Sequence, residues 1–297
     1  MQAVNPLTIT KFTKRYGSFS AVDDLNLKLD HGEVFGFLGP NGAGKSTTIR
    51  TMMNFISPTM GSIKLFDLDS TLDSVKIKEY VGYLAGDIAL YGSMSGKALL
   101  NYLTALGKNT DWTFVTELVQ RLDVPLTQRI GTLSKGNRQK LGLIQAFMHK
   151  PDMLILDEPT SGLDPLKKQV FYDMILDMKN MGKTAFISSH DLTEVQRICD
   201  RVGFIRSGKL VAIENMNTVN NLNVRKYAVI FDTPPAVENL LTTEGVIDAK
   251  LNGNQATVTV KGRIDQFISL ISKYSPRDLQ EQTTSLEDIF MSYYETD

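Results

Sequence analysis

The stretch "GPNGAGKST", Gly39 to Thr47, follows the apolar run "EVFGFL" and opens the helical pattern "GKSTTIRTMMNFI". This is the G-x-x-x-x-G-K-[ST] spacing, and its setting between a strand and a helix is the one that gives the spacing a physical meaning. Gly39, Pro40, Asn41, Gly42, Ala43 and Gly44 let successive backbone N–H groups curl around phosphate oxygens. Lys45 reaches the β and γ phosphates, Ser46 offers its hydroxyl to Mg²⁺, and Thr47 continues into the helix. The loop therefore commits the chain to a nucleotide-binding α/β core.

Patterns on either side extend that core. Residues 1 to 37 alternate as short strands, "LTITKFTKRY", "LNLKLDHGE" and "EVFGFLG"; the helix after the loop stops before Ser57-Pro58, and "GSIKLFDLD" returns to strand. From about 85 to 150 the texture turns helical, with apolar residues at three and four spacing in "GKALLNYLTALGK", "DWTFVTELVQRLD" and "NRQKLGLIQAFMHK". Strand "MLILDEPT", helix 165 to 181, strand "TAFISSH", helix 191 to 200 and strand "RVGFIRSGKLV" follow. The expected architecture is a P-loop NTPase core with a mainly parallel sheet, a small antiparallel β part and an inserted helical subdomain, spanning residues 1–216. After the polar run "NMNTVNNLN", residues 217–297 read as strand, helix, strand, strand, helix, strand, with a hairpin at Asn252-Gly253. That order predicts an α+β ferredoxin-like domain, and we read this second domain as accessory or regulatory.

Composition narrows the function classes. With 32 Lys plus Arg against 33 Asp plus Glu and a net charge of −1, nothing suggests a nucleic acid partner held by electrostatics. The longest uncharged apolar runs, such as "MLIL", fall far short of the ~20 residues that a membrane helix needs, and the first residues do not read as a signal peptide. One cysteine, Cys199, excludes a disulfide framework and reads as packing, which points to a reducing cytoplasm.

Two further motifs complete a hydrolytic site. In "LILDEPTSGLD" a buried strand ends on Asp157, placed to hold the Mg²⁺ shell, and Glu158, placed to orient or deprotonate the attacking water. "FISSHDL" puts His190 at the end of another apolar strand, where it can sense or stabilise the γ-phosphate; His31 and His149 read as ordinary core or surface groups.

Taken in order, Tyr16, "GPNGAGKST", "LSKGN", "LILDEPTSGLD" and "SSH" resemble the nucleotide-binding domain of an ATP-binding cassette (ABC) ATPase over roughly residues 7 to 215. The tail "SLEDIFMSYYE" resembles the C-terminal extension of the subset that serves bacterial exporters. The resemblance implies ATP and Mg²⁺ as cofactors, a homodimer or heterodimer of such domains, a membrane permease as a separate chain, and a peripheral location on the cytoplasmic face of the membrane. It implies that Tyr16 stacks on adenine and that Ser134, Lys135 and Gly136, in the place of the signature sequence, close over the ATP on a partner's loop. Ser161, Gly162 and Asp164 would line the dimer seam. Where the family carries a glutamine after "YVGYLA", this chain has Gly86 and Asp87, leaving Asp87 as a metal ligand or the role absent; Ile88 to Met94 would dock the permease. A soluble ABC ATPase acting on ribosomes or DNA is the alternative.

Overall fold

A computed structural model describes residues 4–106, 111–217 and 224–282. The chain divides into two compact units, Met1–Glu214 and Asn215–Asp297.

The first unit is built on two sheets. β1 (Leu7–Tyr16), β2 (Phe19–Leu29), β4 (Met60–Leu65) and β5 (Leu68–Asp69) form an antiparallel sheet in the order β2-β1-β4-β5. β3 (Val34–Leu38), β6 (Val81–Leu84), β7 (Met153–Asp157), β8 (Thr184–Ser189), β9 (Arg201–Arg206) and β10 (Lys209–Asn215) form the other, in the order β10-β9-β3-β8-β7-β6, with β9, β3, β8, β7 and β6 running parallel. Every residue of β3, β7 and β8 is buried, as a parallel sheet covered on both faces requires, and this is why these strands read as unbroken apolar runs. Helix α1 (Lys45–Met52) sends Ile49 and Met52 into one core with Leu7, Phe12, Phe37 and Phe186, which ties the two sheets together.

Between β6 and β7 come α3 (Gly96–Leu106), α4 (Trp112–Leu122) and α5 (Lys135–Phe147). α4 starts where Asp111 accepts from the backbone N–H groups of Thr113 and Phe114, at 2.9 and 3.4 Å, and stops at Asp123 in the left-handed region. After β7, α6 (Pro165–Asn180) and α7 (Leu192–Ile198) are capped by Asp164 and Asp191.

Four local readings need correction. The segment "RVGFIRSGKLV" is not one strand but two, because Ser207 and Gly208 both take positive φ and reverse the chain between β9 and β10. α1 ends at Met52 rather than near Ile56, since Asn54 turns left-handed. The run "GSIKLFDLD" is also two strands, β4 and β5, because Phe66 and Asp67 both take positive φ between them. Helix α2 (Ser74–Tyr80), unread in the sequence, had no periodic apolar signature because it buries Ile77 alone. Of the histidines, His31 bonds the Val4 carbonyl, whereas His149 is partly buried with its Nε2 unpartnered among the described residues, and burial holds its pKa below the usual range. Cys199 is buried and its thiol pKa is raised by that burial, so it stays protonated and inert.

The second unit runs β11 (Arg225–Phe231), α8 (Val237–Leu241), β12 (Val246–Asn252), β13 (Gln255–Val260), α9 (Asp265–Ser272), β14 (Pro276–Gln282). Its sheet is antiparallel throughout, in the order β12-β13-β11-β14, so each strand–helix–strand passage steps over one intervening strand. Tyr227, Val229 and Phe231 alternate onto the helices and meet Leu240, Phe267 and Ile271. Asn252 pairs with Gln255, and Gly253 takes φ 59° in the two-residue turn between them. The tail "SLEDIFMSYYE" lies outside the described residues.

Candidate functional site

Three neighbouring strands bring the motifs together. β3, β8 and β7 are adjacent and parallel, so Gly39, His190 and Asp157–Glu158 all emerge at their carboxyl ends. The phosphate loop is seated between β2 and the β9–β10 turn: Gly208 N–H donates to Ala43 O at 3.0 Å, and Gly208 O accepts from Asp23 N–H at 2.9 Å. A Cβ on Gly44, whose φ is 110°, would lie 2.6 Å from Ala21 O, so only glycine allows that approach.

Lys45 is 6% exposed. Its Nζ donates to Gly39 O at 2.6 Å and Pro40 O at 3.2 Å, which holds the ammonium inside the loop. Asp157 is also buried, and its Oδ1 accepts from Ser188 Oγ at 2.5 Å. The residue after it, Glu158, has φ 50°, and its N–H is bonded to Ser188 Oγ at 3.1 Å. That left-handed turn directs the Glu158 side chain to His190, with Oε2 2.7 Å from His190 Nδ1. The other oxygen, Oε1, is buried without a hydrogen bond among the described residues; Lys45 Nζ stands 3.4 Å away, close enough to pair by charge but not aligned for a bond.

The donor set suits Mg²⁺. Ser46 and Asp157 carry hard oxygen donors of the kind Mg²⁺ takes, and a small cation that keeps waters and phosphate oxygens needs few protein groups. No cluster of three or more His, Cys, Asp or Glu able to hold a metal occurs among the described residues. Gly86 lies against Asp157: a Cβ there would sit 3.0 Å from Oδ2. Asp87 is exposed and, among the described residues, makes no hydrogen bond or ion pair to Ser46 or Asp157. Burial and the Asp157 charge push the Tyr83 phenol up to about 12, so it stays neutral beside that carboxylate.

Tyr16 is half exposed, with Lys14 Nζ 5.1 Å from its ring centre. It pairs across the turn with Phe19 on the strand whose Ala21 and Val22 touch Gly44, so the ring stands on the hairpin that borders the loop.

The "LSKGN" residues lie elsewhere. Ser134 caps α5, its Oγ accepting from Asn137 N–H at 3.2 Å. Lys135 Nζ donates to Ser161 Oγ at 3.1 Å, and a Cβ on Gly136 would meet Gly162 O at 2.6 Å. Among the described residues no hydrogen bond or ion pair joins 134–137 to 39–47. Of the segment 88–94, Ile88 packs on Gly142 while Tyr91 stands 60% exposed, edge-on to Tyr102.

Sequence reasoning missed Gln139, Ser188 and Gly208. Gln139 is buried and its amide donates to Pro159 O at 2.8 Å and Glu158 O at 3.3 Å, anchoring α5 to the loop after β7. Its place beside Leu141, Leu143 and Ile144, which α5 buries, was the available signal.

The family model for ABC transporters matches residues 22–161. The chain is 33% identical over 292 residues, 96% of its length and 94% of the relative's, to the uncharacterized ABC transporter ATP-binding protein YhcH of Bacillus subtilis (strain 168). It is 37% identical over 206 residues, 68% of its length and 67% of the relative's, to the bacitracin transport ATP-binding protein BcrA of Bacillus licheniformis. In fold it resembles a dimeric bacterial ABC transporter cassette, with a TM-score of 0.63 at 19% identity over 71% of this chain and 98% of that one.

Proposed function

This chain belongs to the ABC transporter ATP-binding proteins and is an ATPase, and from that premise we propose that it drives an export system, closing head to tail with a second nucleotide-binding domain on ATP and acting on a separate membrane permease. The observation that carries the pairing is the second anion-ready site. α5 presents a helix N-terminus at Ser134–Gly136, and its contacts run to Ser161 and Gly162 rather than to its own phosphate loop. An N-terminus of that kind is complete when a phosphate from another molecule reaches it, and a reciprocal arrangement closes two such sites at once.

Within each site the loop 39–47 holds the triphosphate, with Lys45 on the β and γ phosphates and Tyr16 against the adenine. Ser46 and Asp157 would hold Mg²⁺, which would supply neutralising charge to the phosphate oxygens. Glu158 takes the proton of the attacking water, and His190, bonded to the Glu158 carboxylate, fixes its direction. Ser134, Lys135 and Gly136 cover the partner's γ-phosphate, with Asp164 and the Ser161–Gly162 turn at the seam. Asp87, exposed beside Gly86, would serve that cation directly or through water, or the glutamine's role is absent from this chain. Residues 217–297 form an accessory domain, and the ATPase works at the cytoplasmic face of the membrane. No helix among the described residues is long and apolar enough to cross a membrane, and a relative such as the bacitracin transport protein supports a role in transport.

Two measurements test this. Ser134→Arg is expected to bind ATP within about threefold of the parent yet remain monomeric with ATP in light scattering, because a long cation replaces the cap at the seam; ATP-dependent dimers of that variant would sink the pairing. The tagged chain with ATP, drawn from detergent-solubilised native membranes, is expected to bring a stoichiometric multi-span membrane protein. Recovery of ribosomes or DNA instead would move the function to the soluble alternative.

A further inference from the structure

Glu194 belongs to none of the motifs above, yet it is buried at 7% exposure and, among the described residues, has three side-chain partners from three segments. Its Oε1 accepts from Thr160 Oγ1 at 2.6 Å and from Lys168 Nζ at 2.7 Å, and its Oε2 accepts from Ser189 Oγ at 3.1 Å. Thr160 stands two residues after Glu158, and Ser189 stands one residue before His190. Both are buried, at 5% and 1%.

We propose that Glu194 is a positioning residue for ATP hydrolysis, one carboxylate that holds the segments carrying Glu158 and His190 at the spacing their 2.7 Å contact needs. The inference rests on the roles given above to Glu158 and His190. A buried carboxylate is an expensive way to join two loops, since an apolar pair of the same volume carries no desolvation penalty. What the carboxylate adds is direction. Each oxygen is tied to one loop, and Lys168, on the helix that follows the Ser161–Gly162 turn, neutralises the charge. The same group therefore also links the proposed seam to the His190 side of the site. Reacting groups displaced by about 1 Å can lose about 10²-fold in rate with little change in ground-state binding.

The test uses the full-length chain, with steady-state ATP hydrolysis beside equilibrium binding of a fluorescent ATP analogue. Glu194→Ala is expected to lower kcat about 10- to 100-fold while the binding constant stays within about threefold. Glu194→Gln keeps the shape and part of the bonding, and is expected to recover part of that loss. Glu158→Gln is run alongside. If it hydrolyses ATP normally, the site assignment itself fails; if it is inactive while Glu194→Ala turns over like the parent, only the positioning role is overturned. Parallel loss of binding and melting temperature in Glu194→Ala with no separate effect on kcat also overturns it. Should that variant not fold, Thr160→Val and Ser189→Ala decide: each removes one arm, and both together are expected to do little more than either alone, whereas independent multiplying effects refute a shared carboxylate.

Discussion

Glu158→Gln is expected to slow ATP turnover by about 10²- to 10⁴-fold while leaving ATP affinity intact, and to accumulate the ATP-bound dimer. Gln has the shape of Glu but cannot accept a proton, so only the step that needs the base is lost. The geometry sharpens the expectation. One Glu158 oxygen already faces His190 at 2.7 Å, and the other is buried without a hydrogen bond among the described residues, so the carboxylate has a fixed direction and an acceptor atom to spare. The amide keeps the direction and loses the basicity. Single-turnover hydrolysis and size-exclusion chromatography with ATP check both halves; hydrolysis at the parent rate would remove Glu158 from the chemistry.

Lys45→Ala is expected to weaken ATP binding by at least about tenfold, because a charge-assisted contact to phosphate contributes on the order of 1.5–3 kcal/mol. The loss has two origins. The ammonium is the cation of the loop, and its bonds to Gly39 O and Pro40 O also hold the loop's curvature. Equilibrium binding of a fluorescent ATP analogue measures the affinity, and thermal melting separates it from unfolding. An unchanged affinity in a folded Lys45→Ala chain would mean that the backbone cradle alone carries the phosphate.

Much of the first unit was legible because its chemistry is local. The phosphate loop needs glycines, a lysine and a hydroxyl within nine residues, and β3, β7 and β8 announce themselves as apolar runs because both of their faces are buried. Where the signal was weak, so was the reading. Helix α2 buries one side chain, and the β9–β10 reversal hides in a single Ser-Gly pair inside an apparently continuous strand pattern.

The site shows the same division. Lys45, Ser46, Asp157, Glu158 and His190 could be named in advance because each stands at a recognisable strand end or loop position. Gln139, Ser188 and Glu194 could not, since a buried polar side chain acquires its partners only when distant segments meet: Glu194 lies 34 residues from Thr160, and Gln139 20 residues from Pro159.

The amino-acid sequence by itself determined the fold class, the phosphate loop and the candidates for the acid–base groups, because spacing along a strand or turn is set by backbone geometry alone. Only the tertiary structure decided that Glu158 bends toward His190, that Gly86 lies against Asp157, and that the signature helix rests on Ser161–Gly162. Those are contacts between chain segments, and their distances follow from how the strands are ordered in the sheet, which no local pattern encodes.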